Sequence, residues 1–239
     1  MRWIYDKYYM GYIIENYRKL FEKIKDISLS EGRDPEEIRI IAVSKTFSSE
    51  IVQQAIDDGL SIFGENKIQE ARHKIAELKG KFSFHLVGHL QSNKAKEAVR
   101  LFDLVHSIDK ESTADKLNEE AIKINKIQKI LVQVNTSGES TKSGIMPEET
   151  PEFIKNLFSF NNLKLLGLMT IGPFTGNEDE IRNSFRLLKE LLNDSNKKLG
   201  IDMKELSMGM SDDYHIAIKE GATMLRIGSA IFGNRDYPA

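Results

Sequence analysis

The sequence predicts an α/β fold, a single (β/α)8 TIM-type barrel with an additional N-terminal helix, and three observations predict it. Eight short apolar runs, rich in β-branched residues, alternate with longer amphipathic segments, a pattern that implies right-handed crossovers and a parallel sheet. Eight such units fit within about 200 residues, the compact end of this architecture. The first run continues as AVSKTFSSE, with no GxGxxG turn, which weakens the open doubly wound alternative.

In chain order, Ile13, Ile14, Tyr17, Leu20, Phe21, Ile24 and Ile27 recur at helical spacing, predicting one amphipathic helix from about Ile4 to Leu29 that Gly32 and Pro35 end. The strands follow as IRIIAVS (38–44), LSIFG (60–64), FSFHLVG (82–88), LFDLVHSI (101–108), KILVQVN (129–135), LKLLGLMT (163–170), ELSMGM (205–210) and ATMLRIG (222–228). The fourth is the least regular, because Asp103 and His106 interrupt it. Between them SSEIVQQAIDDG, IQEARHKIAEL, QSNKAKEAVR, KESTADKLNEEAIKI, TPEFIKNLF, EDEIRNSFRLLKELLND and DDYHIAIKEG read as helices. The expected organisation is one domain over 1–239, with a helical extension over 1–31 packed on a barrel over 38–233.

Composition narrows the function classes. Lys plus Arg is 34 against 36 Asp plus Glu, so no excess charge draws nucleic acid or anionic lipid. The absence of cysteine removes disulfides, thiolate metal sites and a cysteine nucleophile. The N-terminal stretch is apolar in part, but Arg2, Asp6, Lys7, Glu15 and Arg18 make it too charged for a signal segment or a membrane span, so a cytoplasmic protein is expected.

In such a barrel chemistry sits at the C-terminal strand ends. Two residues there are costly to place. Lys45 directly follows the first strand; it reads either as a charge snorkelling to solvent or as an amine that, partly desolvated near another cation, attacks a carbonyl to form a Schiff base. Arg226 lies inside ATMLRIG; it reads either as half of a buried ion pair or as a fixed cation facing a ligand acceptor. Gly228 and Ser229 follow the eighth strand and offer backbone N–H groups and a hydroxyl to a phosphate. SMGMSDD offers similar donors, with Gly209 for close approach and Ser211 as a helix N-cap, but Asp212 and Asp213 would repel a phosphate there.

Other signals are weaker. GESTKSG lacks the glycines at Thr136 and Thr141 that a P-loop around Lys142 requires. Lys142 reads as a solvated loop residue. His85 and His89 are four apart, yet on a strand rather than a helix, so no metal site is expected.

Taken together, AVSKT, FGEN, FHLVGHLQSNK, VNTSGESTKSG, GLMTI, LSMGMSDD and LRIGSAIFG resemble, in order from about Ile38 to Gly233, the YggS-like pyridoxal-phosphate homeostasis family. The resemblance implies a barrel similar to the N-terminal domain of alanine racemase. It implies pyridoxal 5'-phosphate as cofactor, carried as a Schiff base on Lys45. Arg226 would then face the pyridine nitrogen, Ser211, Gly228 and Ser229 would surround the phosphate, and Asn66 and Met208 would line the ring. An arginine at that nitrogen disfavours its protonation and weakens carbanion chemistry, in contrast to the usual carboxylate. Thirteen residues follow Arg226, so the second domain that supplies a tyrosine base in racemases is expected to be lacking. The implied role is a binding protein serving vitamin B6 and amino-acid homeostasis, with apoenzymes as possible recipients of the cofactor and a monomer or weak homodimer as the expected state. The alternatives are a single-domain racemase and a cofactor-free Schiff-base aldolase.

Overall fold

The computed structural model describes residues 11–233. Eight parallel strands close into a barrel in sequence order: β1 (Arg39–Val43), β2 (Ile62–Glu65), β3 (Ser83–Leu86), β4 (Leu104–Ile108), β5 (Gln128–Gln133), β6 (Leu163–Met169), β7 (Glu205–Ser207) and β8 (Met224–Ile227). The seam that closes it pairs Ile41 with Arg226 and Ala42 with Ile227. All eight predicted strands are present. The helices are α1 (Tyr12–Ser30), α2 (Ser49–Asp57), α3 (Ile68–Glu77), α4 (Ala95–Leu101), α5 (Glu111–Lys123), α6 (Thr150–Leu157), α7 (Glu178–Leu199), α8 (Tyr214–Lys219) and α9 (Ser229–Phe232).

Strand alternation sorts the side chains into two layers. Ile41, Val43, Val87, Leu104, Leu131, Met169 and Met224 form a small apolar cluster inside the barrel. Ile40, Ala42, Phe63, Phe84, Leu86, Val105, Ile130, Val132, Leu168, Leu225 and Ile227 point outward into a larger cluster shared with the helices. Strands of this kind are buried on both faces, so they read as continuous apolar runs rather than as alternating ones.

α1 buries Ile13, Leu20 and Ile24 against α8 and α9. It ends in a Schellman-type turn, with Gly32 at φ 67° and the Arg33 N–H donating to Ser28 O at 2.9 Å. Two further links tie this helix to the closing end of the chain. Asn16 donates to Ile231 O at 3.1 Å, and the Arg33 guanidinium donates to Ile218 O and Ala222 O at 2.7 and 2.8 Å, satisfying carbonyls at the end of α8. The part of the predicted helix over residues 4–10, and the aromatic segment MRWIYDKYYM, lie outside the described residues.

Three boundaries differ from expectation. Leu101 ends α4 instead of opening β4, and Asp103, just before the strand, accepts from the Phe84 N–H at 3.0 Å. β7 stops at Ser207 because Gly209, at φ 92°, turns the chain; a Cβ there would lie 2.6 Å from Ala217 Cβ. α7 continues to Leu199, past Asp194, until Gly200 caps it at φ 66°. No helix among the described residues is long and apolar enough to cross a membrane.

Gly88, at the end of β3, shows how tightly the mouth is packed: a Cβ there would lie 2.2 Å from Asn66 O and 2.7 Å from Asn66 Cα. Gly88→Ala therefore requires a backbone shift and is expected to cost about 2–3 kcal/mol, read as a lower urea midpoint at unchanged m-value. An unchanged midpoint would show that this contact does not constrain the mouth.

Candidate functional site

Lys45 follows Val43 and Ser44 off the end of β1, and alternation from Ile41 and Val43 directs it to the inner side, half-buried at the mouth. The turn that presents it is strained and braced. Thr46 takes φ 71°, an uncommon value for a β-branched residue, and its N–H donates to the Glu70 carboxylate. Beneath it a buried cluster grips the preceding peptide: Lys74 Nζ donates to Ser44 O at 2.8 Å and pairs with Glu65, while Ser44 Oγ donates to Glu65 Oε1 at 2.8 Å. Burial pushes the Glu65 carboxyl up, and the Lys74 ammonium and the Ser44 hydroxyl oppose that rise. The backbone on either side of Lys45 is thus fixed by two charged side chains, Lys74 and Glu70, with Glu65 bracing the first.

Arg226 points into the barrel from β8 and is 5% exposed. The ion-pair reading does not apply to it. Its partners are neutral, Nη1 donating to Ser207 Oγ and Nη2 to Thr170 O, both at 2.7 Å. Burial lowers its pKa to about 10, and Asp213 opposes this through space. Asp213 itself is buried and accepts from the Met210 N–H at 2.5 Å; desolvation raises its pKa. Ile41 is the register partner of Arg226, and Lys45 lies four residues beyond Ile41 in the turn past the end of β1.

The donors expected for a phosphate lie beside these two. Gly228 precedes α9 and sits against β1, where a Cβ would be 3.4 Å from Val43 O; Ser229, exposed, opens the helix. Ser211 was expected to cap its own helix and does not. Asp213 holds that position, and Ser211 Oγ instead accepts from the Ala230 N–H at 3.3 Å, joining the loop after β7 to the first turn of α9. Asn66 is half-buried at the end of β2, held by its contact with Gly88. Met208 departs from expectation as well. Its side chain is fully buried in the outer cluster between barrel and helices, so only its backbone belongs to the mouth. The structure therefore brings Lys45, Asn66, Ser211, Arg226, Gly228 and Ser229 to one end of the barrel.

Several participants escaped the sequence reading. Glu65, Glu70 and Lys74 carry no motif beyond FGEN, and only the fold places them under Lys45. Lys142 is not a solvated loop residue: its Nζ donates to Glu139 Oε1 at 2.6 Å and Gly172 O at 2.7 Å, tying together the loops after β5 and β6. His85 and His89 diverge. His89 lies outside near Asp109, whereas His85 is buried in the interior with its Nδ1 3.1 Å from His106 Nε2. Desolvation lowers the His85 pKa to about 4, with Asp103 opposing and Arg39 and Lys129 adding repulsion, and it pushes His106 well below its ordinary value, with His85, Arg226 and Arg39 adding repulsion.

These two depressed values fix a sign for stability against pH. Between pH 6.5 and 4 the unfolded chain takes up protons at both histidines that the folded chain refuses, so stability is fully present above pH 6.5 and is lost as the pH falls. Each imidazole contributes a slope of about 1.4 kcal/mol per pH unit over that window. Urea unfolding at intervals between pH 7.5 and 5 is expected to lose one such share of slope in a His85→Gln variant; an unchanged slope would place a protonated histidine inside the barrel.

Comparison with known proteins fits this architecture. A family model, alanine racemase N-terminal domain, matches residues 28–236. The chain is 42% identical to a pyridoxal phosphate homeostasis protein of Pseudomonas aeruginosa, over 96% of this chain and 99% of that one. It is 37% identical to one of Aquifex aeolicus, over 93% and 98%. Among solved structures, PipY of Synechococcus elongatus with pyridoxal phosphate bound superposes with a TM-score of 0.81 at 31% identity, covering 92% of this chain and all of PipY. An alanine racemase of Clostridium difficile shares the fold, with a TM-score of 0.72 at 17% identity, over 93% of this chain and 58% of the racemase. With a family model that matches residues 28–236 and relatives at 37 and 42% identity over nearly the whole chain, the chain belongs to the alanine racemase N-terminal domain family and, within it, to the pyridoxal phosphate homeostasis proteins.

Proposed function

We propose that this chain is a cytoplasmic protein that binds pyridoxal 5'-phosphate reversibly as a Schiff base on Lys45 and serves vitamin B6 and amino-acid homeostasis. The carrying observation is the convergence of an amine, a fixed cation and a set of N–H donors at one end of the barrel. Lys45 is the amine, Arg226 the cation, and Gly228, Ser229 and Ala230 carry the donors. That set matches the three ends of this cofactor: an aldehyde, a ring nitrogen with a lone pair, and a phosphate.

Each residue has a separable task. Thr46, Glu70 and Lys74 hold the turn that aims the Lys45 side chain along the inner wall. Arg226 presents N–H donors only, so it binds a ring nitrogen in its unprotonated form and supplies it no proton. Ser211, now accepting from the Ala230 N–H, stands where an acceptor oxygen is wanted at the start of α9 and can rotate to donate to a phosphate. Asp213 is kept from that phosphate by its bond to the Met210 N–H. When bound, the cofactor supplies an electrophilic carbon and an electron-withdrawing ring, and an unprotonated ring nitrogen leaves the latter weak. The arrangement favours holding over turnover, and relatives named for pyridoxal phosphate homeostasis support the same reading. Apoenzymes are the recipients we infer for a cofactor held in this way.

Purified protein incubated with the cofactor is expected to turn yellow, and borohydride reduction followed by peptide mass analysis is expected to find the label on Lys45. A colourless, unlabelled protein would sink the reading. Incubation of the loaded protein with single-enantiomer amino acids separates it from the racemase alternative, which requires sustained loss of chirality. In Ser229→Asp, a carboxylate beside the phosphate dianion is expected to speed cofactor release at least tenfold in a dialysis assay. Release at the original rate would put the phosphate elsewhere.

A further inference from the structure

Beneath the mouth, the barrel interior holds a line of polar side chains that the proposed binding role does not use. Arg226 Nη1 donates to Ser207 Oγ at 2.7 Å; Ser207 Oγ lies 2.9 Å from His106 Nδ1; His106 Nε2 lies 3.1 Å from His85 Nδ1. Ser207 and His106 are fully buried, and His85 is 8% exposed. The line runs from β8 through β7 and β4 to β3, across the inside of the barrel.

The direction of its hydrogen bonds follows from the guanidinium. Arginine only donates, so Ser207 Oγ accepts from it. The serine proton must then find an acceptor. If His106 Nδ1 carried its own hydrogen, Ser207 Oγ would receive two donors and its buried O–H would have no partner, a costly arrangement. If Nδ1 is bare, Ser207 donates to it, His106 donates from Nε2–H to His85 Nδ1, and each polar atom from Arg226 Nη1 to His85 Nδ1 is satisfied. The charge favours the same choice, because in this order each dipole turns its negative end toward Arg226. The groups around His85, namely Arg39, Lys129 and Asp103, include two cations and one carboxylate, so an added proton on the pair is opposed from both ends.

We propose that His106 and His85 are positioning residues for Arg226: with Ser207 they form a one-way relay, Arg226 to Ser207 to His106 to His85, that holds the guanidinium charged and fixed in orientation toward the ring nitrogen of the bound ligand. The last clause rests on the binding reading above; the relay itself does not. Thr170 O fixes the other arm of the guanidinium at 2.7 Å, so the fork is held at two points. Both imidazoles are neutral and both carry hydrogen on Nε2.

The first test needs no cofactor. Long-range proton–nitrogen correlation spectra of the 15N-labelled full chain, recorded between pH 6 and 8 and assigned by single His85→Gln and His106→Asn substitutions, are expected to show both rings as Nε2–H tautomers. A Nδ1–H tautomer on either ring overturns the relay. The second test reads the coupling to the ligand. In His106→Leu the Ser207 proton loses its acceptor, and protein loaded with pyridoxal phosphate is expected to release it about tenfold faster and with a shifted visible absorbance band. His106→Asn keeps an oxygen acceptor near the place of Nδ1 and is expected to restore both. Equal behaviour of the Leu and Asn variants overturns the positioning role. Should His106→Leu fail to fold, Ser207→Ala breaks the same link and is read in the same way. If the wild-type chain binds no pyridoxal phosphate, the binding reading fails while the tautomer result still decides the relay.

Discussion

A guanidinium buried inside a barrel, with neutral acceptors in place of a bonded counter-ion, sets the terms for what surrounds it. An arginine cannot escape burial by giving up its proton at neutral pH, so acceptors must be brought to it. Here they are a serine hydroxyl on β7 and the Thr170 carbonyl at the end of β6. The serine in turn requires an acceptor, which draws a histidine from β4 into an interior otherwise lined by Ile41, Val43, Leu131 and Met224. One charged side chain thereby dictates polar side chains on β7 and, across the barrel, on β4. Asp213 and Glu65 are engaged elsewhere: Asp213 holds the Met210 N–H, and Glu65 lies in the outer layer with Lys74.

The mouth is built on the opposite principle. The backbone around Lys45 is held from outside the barrel by Glu70 and Lys74, with Glu65 bonded to the Ser44 hydroxyl and to Lys74. The same division recurs on β8. Arg226 faces inward, while Gly228 and the start of α9 are fixed from without, by Ser211 and by α1 through Asn16. The cation is anchored from the interior, whereas the rim is braced from outside.

The fold was legible because strands buried on both faces announce themselves as apolar runs, and eight of them punctuated by amphipathic segments admit few architectures. Lys45 and Arg226 were legible for the converse reason, as charges at places where a run would otherwise stay apolar. The boundaries at Leu101 and Gly209 were not, since helix ends and positive-φ turns depend on neighbours distant in sequence. Met208 shows the limit most clearly. LSMGM places it at the strand end, but which way its side chain points depends on a register only the closed barrel defines. The contacts of Glu65 and Lys74 with Ser44, and those of His106 with His85 and Ser207, were beyond a linear reading, because each partner is supplied by another βα unit. His106 interrupts the apolar run of β4 in the sequence, and with Leu104 it is what that strand contributes to the interior.

The seam between β1 and β8 joins residues about 180 positions apart in the chain, and Lys45 and Arg226 stand on its two sides. Pairings of such long range carry the largest loop-closure cost and tend to form late in folding. Neither half of the molecule holds a usable site before that closure. A ligand that needs both sides recognises only the finished barrel, so its binding draws the population toward the closed state by mass action and makes the amount of ligand present a determinant of how long the seam stays shut.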